Sequence, residues 1–157
     1  MVVIVYILSL CSANLLVAYF GAWITPINAF FLVGLEMILR DILHERYGIL
    51  RSIILSMVAG GVSYLINPDA GIIAFASLVA FVSSAIVNAW VYQLLIKKSW
   101  FKKSNISNIA AAGVDSILFP LIAFGAFMPV IIIAQFVCKI GGGAFWSFIL
   151  KSYKNVE

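Results

Sequence analysis

Three charged residues interrupt long apolar runs, and their spacing gives them a common chemistry. Lys139 lies ten residues past Pro129, Glu36 ten past Pro26, and Asp115 ten past Asn105. If helices begin near those points, a rise of 1.5 Å per residue puts all three roughly 15 Å deep, at the middle of a hydrocarbon layer about 30 Å thick. An ionised side chain facing lipid at that depth costs at least ~2.5–3.5 kcal/mol, so one cation and two anions should turn inward and pair. Lys139 paired with Asp115 or Glu36 would fix helix packing, which by itself is weak evidence for stability. The second carboxylate is then surplus, and suited to accept a ligand or carry a proton. Asn14, Asn108 and Gln135 add amides from three different apolar runs, with Gln135 one turn before Lys139 on the same face. Each amide taken alone also fits a helix-to-helix hydrogen bond. The expected substrate-binding set is Asp115, Glu36, Lys139, Gln135, Asn14 and Asn108.

A second constellation is the densest polar run, Arg40-Asp41-Ile42-Leu43-His44-Glu45-Arg46-Tyr47-Gly48. Glu36 and Arg40, Arg40 and His44, and Asp41 and Glu45 are each one turn apart. This spacing suits a helix end with i,i+4 ion pairs and a Gly48 cap, or a gate formed by Arg40, Asp41, His44 and Glu45 whose ion pairs break and re-form. A single histidine lacks the ligand count for a metal. No nucleophile triad, phosphate loop or zinc motif is present, so neither an enzyme nor a cofactor is expected. Gly141-Gly142-Gly143 directly follows Lys139 and serves either close helix packing or a local break toward a cavity. Trp23, Trp100, Tyr47 and Tyr153 fall near run ends, as interfacial aromatics do. Phe30, Phe31, Phe81, Trp90, Phe119, Phe124 and Trp146 lie deeper, where one or two could stack on a planar heterocycle. Cys11 and Cys138 read as small buried hydrophobes rather than a disulfide.

The elements that must position these groups follow from composition. Of 157 residues, 64% are apolar and only 10% charged, far from the roughly 25% charged residues of a soluble domain, which excludes a cytosolic enzyme or a nucleic-acid-binding domain. Turn signals and charges cut the chain into six apolar pieces of about membrane-spanning length: 1–20, 26–44, 50–66, 71–96, 105–124 and 129–150. The expected fold is an all-α membrane bundle of six transmembrane helices in one domain, residues 1–157, with no cleaved signal peptide. Nine of the ten basic residues fall after the second piece, after the fourth and in the tail, which an even-membered bundle puts on one side. Both termini are therefore expected in the cytoplasm. Three helices per half would also allow a 3+3 inverted repeat.

The run Glu36-x3-Arg40-Asp41-Ile42-Leu43-x-Glu45-x-Tyr47-Gly48 with Arg51 resembles a signature of the VUT family, vitamin-uptake-like transporters that include queuosine precursor transporters. Ala13-Asn14, Phe75-Ala76-Ser77-x3-Phe81-x2-Ser84, Gly113-Val114-Asp115-Ser116-x-Leu118-Phe119 and Phe124-Gly125 are similar to further motifs of that family. The chain is shorter than a typical member. The resemblance implies import, across a bacterial inner membrane, of a 7-deazaguanine such as the cyano or aminomethyl precursor of queuosine. A guanine-like edge offers N1–H and an exocyclic amine, which a buried Asp115 or Glu36 could accept while Lys139 or Gln135 donates to the ring carbonyl and Asn14 and Asn108 add edge contacts. The expected partners are this small purine-like molecule and the lipid bilayer, with no nucleic acid, and both monomer and homodimer left open. The alternative is a substrate-capture subunit of an energy-coupling-factor importer. Its docking stripe of small residues is only partly matched by Ser9-x3-Ala13 and Ala18-x3-Ala22.

Overall fold

The computed structural model describes the backbone of residues 1–154 and their side chains except those of residues 45, 49, 52, 69 and 151–154. Expectations that rest on the side chains of Glu45, Asp69, Lys151, Tyr153 and Lys154 lie outside the described residues. Six helical rods follow one another, and no strand occurs among the described residues. They are α1 (Val2–Phe20), α2 (residues 22–47), α3 (Ile49–Ile66), α4 (Gly71–Leu94), α5 (Trp100–Ala123) and α6 (Pro129–Lys154). The breaks follow local chemistry. Gly48, at φ 81°, takes a backbone conformation that L side chains rarely adopt, and its N–H caps the His44 carbonyl at 2.9 Å, so α2 stops and α3 starts at once. Pro68 opens a single 3₁₀ turn, Pro68–Ala70, between α3 and α4.

One boundary differs from expectation. Among the described residues five helices are long and apolar enough to cross a membrane, and α3, Ile49–Ile66, has the extent expected of the third piece. The difference is at α5, which begins at Trp100 and so carries Lys102 and Lys103 on its first turn instead of in a loop. Lysine is a good helix former, and the Lys103 stem turns back so that its ammonium lies 4.5 Å from the centre of the Tyr92 ring.

The surface is the inverse of a soluble protein's. Leu8, Phe75, Trp90, Ile133, Val137 and Phe148 are more than half exposed, while Glu36, Arg40, Asp41, Gln135 and Lys139 are at most 5% exposed. An apolar surface over a polar interior is stable only in an apolar solvent. Of the deep aromatics, Phe31 and Trp90 face outward and Phe81 is buried. Cys11 is buried and donates to the Ala59 carbonyl at 3.1 Å, whereas Cys138 is only half-buried.

Helix α2 is the centre of the bundle. Every residue from Glu36 to Leu43 is buried, so neighbours cover all its faces. Leu39 and Leu43 pack with Tyr6 of α1 and with Phe81 and Ala85 of α4, and Met37 packs with Ala111 and Ala112 of α5. On the remaining side α6 crosses at backbone contact. A Cβ at Gly34 would stand 2.7 Å from the Gly142 carbonyl carbon, and one at Gly142 would meet the Phe30 carbonyl. Trp146 Nε1 donates to the Phe31 carbonyl at 3.0 Å just beyond the crossing. The glycine triplet therefore packs, and α6 runs through it unbroken. Gly142→Ala should lower stability by about 1–3 kcal/mol through overpacking, while Gly143→Ala, whose Cβ meets nothing within 4 Å, should leave it unchanged. Thermal unfolding of the two detergent-solubilised variants checks the contrast.

Candidate functional site

Five of the six helices, all but α3, line one cavity of about 600 Å³ counted with its open mouth. Glu36, Asp115 and Lys139 all face it, as the depth argument required, and so do Gln135 and Asn14. Phe81 and Phe119 supply its aromatic faces.

One wall is fully bonded. Lys139 Nζ forms an ion pair with Asp115 across α6 and α5 and also donates to Gln135 Oε1 at 3.1 Å. Gln135 Nε2 donates in turn to Thr25 Oγ1 at 3.1 Å, and the Thr25 hydroxyl donates to the Ala22 carbonyl at 2.6 Å. The chain of bonds ties α5, α6 and the start of α2 together. Asp115 is thus the partner of Lys139, and Glu36 is the surplus carboxylate.

The wall formed by α2 is different, because its polar atoms are open. Asn28 Nδ2 donates to the Ala13 carbonyl at 3.0 Å, but its Oδ1 has no partner. Glu36 Oε1 has none either, nor do Arg40 Nε and Nη2. Tyr6, 2.7 Å from Ser56 Oγ, stands within hydrogen-bonding reach of Glu36. Arg40 is held in place by Ser84, whose Oγ accepts from Nη1 at 3.3 Å, and by the Phe81 ring, 5.3 Å from the guanidinium carbon. All these open atoms belong to residues that line the cavity.

A π turn explains how one helix aligns them. A regular helix turns 100° per residue, which over eight residues leaves Asn28 about 80° away from Glu36. Residues Ala29–Val33 form a π turn between the two, and its wider winding takes back most of that angle. The sequence reading missed Asn28 and Thr25. Asn28 is an amide in an otherwise apolar run, a signal that was available; the π turn that aims it was not.

One expected member belongs elsewhere. Asn108 does not line the cavity, because its amide serves Asp41: Nδ2 donates to Asp41 Oδ2 at 3.0 Å and Oδ1 accepts from Asn88 at 2.7 Å. Ser104 Oγ donates to the same Asp41 oxygen at 2.6 Å, so the carboxylate joins α2 to α5. The expected surface ladder of i,i+4 ion pairs therefore does not describe Arg40 and Asp41. Both are buried, and both find hydrogen-bond partners on other helices, as buried polar groups require. His44 is half-buried beside the Tyr92 ring. The side chain of Glu45 lies outside the described residues.

Helices with apolar exteriors around a charged cavity define an integral membrane protein. Residues 65–150, over half of the chain, match the family model described as "Putative vitamin uptake transporter", and the chain belongs to that family. No curated protein and no solved structure matches it. The matched segment includes Asp115, Gln135 and Lys139, while Asn14, Asn28, Glu36 and Arg40 precede it.

The bonded wall makes its own prediction. Lys139→Met leaves Asp115 without its cation and should destabilise the protein by roughly 3–5 kcal/mol. Adding Asp115→Asn should recover most of that loss. Unfolding of the single and double variants in detergent measures both.

Proposed function

We propose that this chain is a secondary transporter that brings a 7-deazaguanine precursor of queuosine, the cyano or aminomethyl form, across the bacterial inner membrane. The observation that carries the reading is the unpartnered carboxylate oxygen of Glu36, buried beside the cavity. A guanine-like ring presents N1–H and the exocyclic amine side by side, and a carboxylate accepts both. Asn14, Gln135 and the Lys139–Asp115 pair complete the binding set, with Asn28 added by its open oxygen. Phe81 and Phe119 offer faces for the planar ring.

Eight of the ten basic residues, all but Arg40 and Lys139, lie near the α2–α3 turn, the α4–α5 connection or the end of α6, so these ends are assigned to the cytoplasm with both termini. Asp41 then sits between the cavity and the cytoplasm, where its bonds to Ser104 and Asn108 make it, with His44 and Glu45, the inner gate. Substrate would reach alternate sides as the two three-helix halves rock about the cavity.

In cells that neither make nor import the precursor, expression of this chain with the cyano compound in the medium should restore queuosine to tRNA. Glu36→Gln and Asp115→Asn, at equal membrane abundance, should raise the precursor concentration needed about 10- to 100-fold. Binding of the precursor without restoration would instead identify a capture subunit that lacks its energising module. For the orientation, fluorescent and phosphatase reporters fused after Glu157 should be active and silent, respectively, as a cytoplasmic terminus requires.

A further inference from the structure

Arg40 is placed to do more than close a gate. Its side chain is 4% exposed and lines the cavity. Of its three nitrogens only Nη1 is engaged, by Ser84, while Phe81 lies under the guanidinium. Nε and Nη2, the two left open, are the pair whose N–H groups project in parallel from one edge. One turn earlier on the same helix Glu36 presents its open oxygen. Buried polar groups ordinarily have partners, and a charged group without one is costly, so an open fork of donors beside an open acceptor is a mould for a ligand.

The ligand that fits carries an acceptor beside donors on one edge. Lys139 is already neutralised by Asp115, and Glu36 offsets Arg40, so the lining charges sum to zero and the complementary ligand is neutral. A cyclic amide answers this description: its carbonyl oxygen has two lone pairs for the fork, and its ring N–H and adjacent amine point at the carboxylate. An amino-substituted ring of the same size would set its own N–H groups against those of Arg40. We infer that Arg40 is the specificity-determining residue of the cavity, binding the ring carbonyl of a lactam-edged heterocycle while Glu36 binds the neighbouring N–H groups. This rests on the transporter reading above and assigns Arg40 to the substrate rather than to the gate.

The test is uptake of labelled cyano-deazaguanine by cells expressing the full chain, with 7-deazaguanine or 2,6-diamino-7-deazapurine as competitor. The two competitors differ in carbonyl against amine at the position facing Arg40 and, with it, in N–H against a bare ring nitrogen at the position facing Glu36. With the wild type, the lactam should compete at least about 100-fold better than the diamino compound. In Arg40→Met, at matched membrane abundance, KM should rise at least about tenfold and the preference should fall at least about tenfold, the remainder being due to Glu36, while Arg40→Lys should retain more of it. Equal competition in the wild type overturns the inference. So does Arg40→Met with an unchanged KM and preference and only a lower maximal rate, the signature of a gate. Should Arg40→Met fail to reach the membrane, the wild type and Arg40→Lys still decide: undiminished preference in Arg40→Lys places the contact elsewhere. A wild type that takes up no cyano-deazaguanine defeats the transporter reading itself, whereas uptake without preference defeats only the role of Arg40.

Discussion

The ion pair between Lys139 and Asp115 is the interaction on which the rest of the bundle depends. Neither charge can face lipid, so α5 and α6 must lie side by side with these residues turned inward. The same requirement passes along the bonds to Gln135 and Thr25 and recruits the start of α2. Further along α2, Asp41 imposes a second constraint of the same kind, met by hydrogen bonds from Ser104 and Asn108 with the Arg40 charge nearby. A buried carboxylate binds such donors strongly, because charged hydrogen bonds in a buried interior are worth more than neutral ones. Two satisfied networks therefore clamp α2 to α5 and α6 at its two ends.

Between the clamps lies a stretch of α2 that is not satisfied. Asn28, Glu36 and Arg40 leave four atoms without partners, and each costs about 1–3 kcal/mol or more where it is charged. The fold keeps them open by engaging the rest of each side chain. Ala13 holds the Asn28 amide, Tyr6 stands at Glu36, and Ser84 with Phe81 holds Arg40. Glu36 and Arg40 are close enough in sequence to pair on one helix face, so their separation has to be enforced by neighbours. Tyr6 on α1 and Phe81 and Ser84 on α4 supply that enforcement.

Much of this was legible in the sequence, for identifiable reasons. The depth of Glu36, Asp115 and Lys139 follows from counting residues against helix rise, and the rule that charges avoid lipid turned depth into proximity. The family resemblance rested on motifs of which the Asp115 run lies inside the matched segment. What stayed hidden depended on register or on distant partners. The π turn between Asn28 and Glu36 rotates one face against the other, and nothing in Ala29-Phe30-Phe31-Leu32-Val33 announces it. Arg40 and Asp41 looked like members of an i,i+4 ladder because sequence spacing shows only partners on the same helix. Their actual partners, Ser84 and Ser104, are 44 and 63 residues away. The glycine triplet could pack or break, and the choice lay with Gly34 and Phe30 on another helix.

The glycine crossing also explains how α2 can carry open polar atoms and stay in place. The crossing sets the Gly34 and Gly142 backbones in contact close to the π turn, and Trp146 bonds a carbonyl within that turn. A π turn widens the helix and loosens its own hydrogen bonding, so a neighbouring helix must support it from outside. Without Cβ atoms at Gly34 and Gly142, α6 comes near enough to do so. α6 thus supports the π turn at Gly34 and Phe31 while Ser84 and Phe81 of α4 hold Arg40, so the stretch of α2 that carries the open atoms is braced from two helices. Local rules are broken along one stretch of one helix, and the compensation comes from its neighbours.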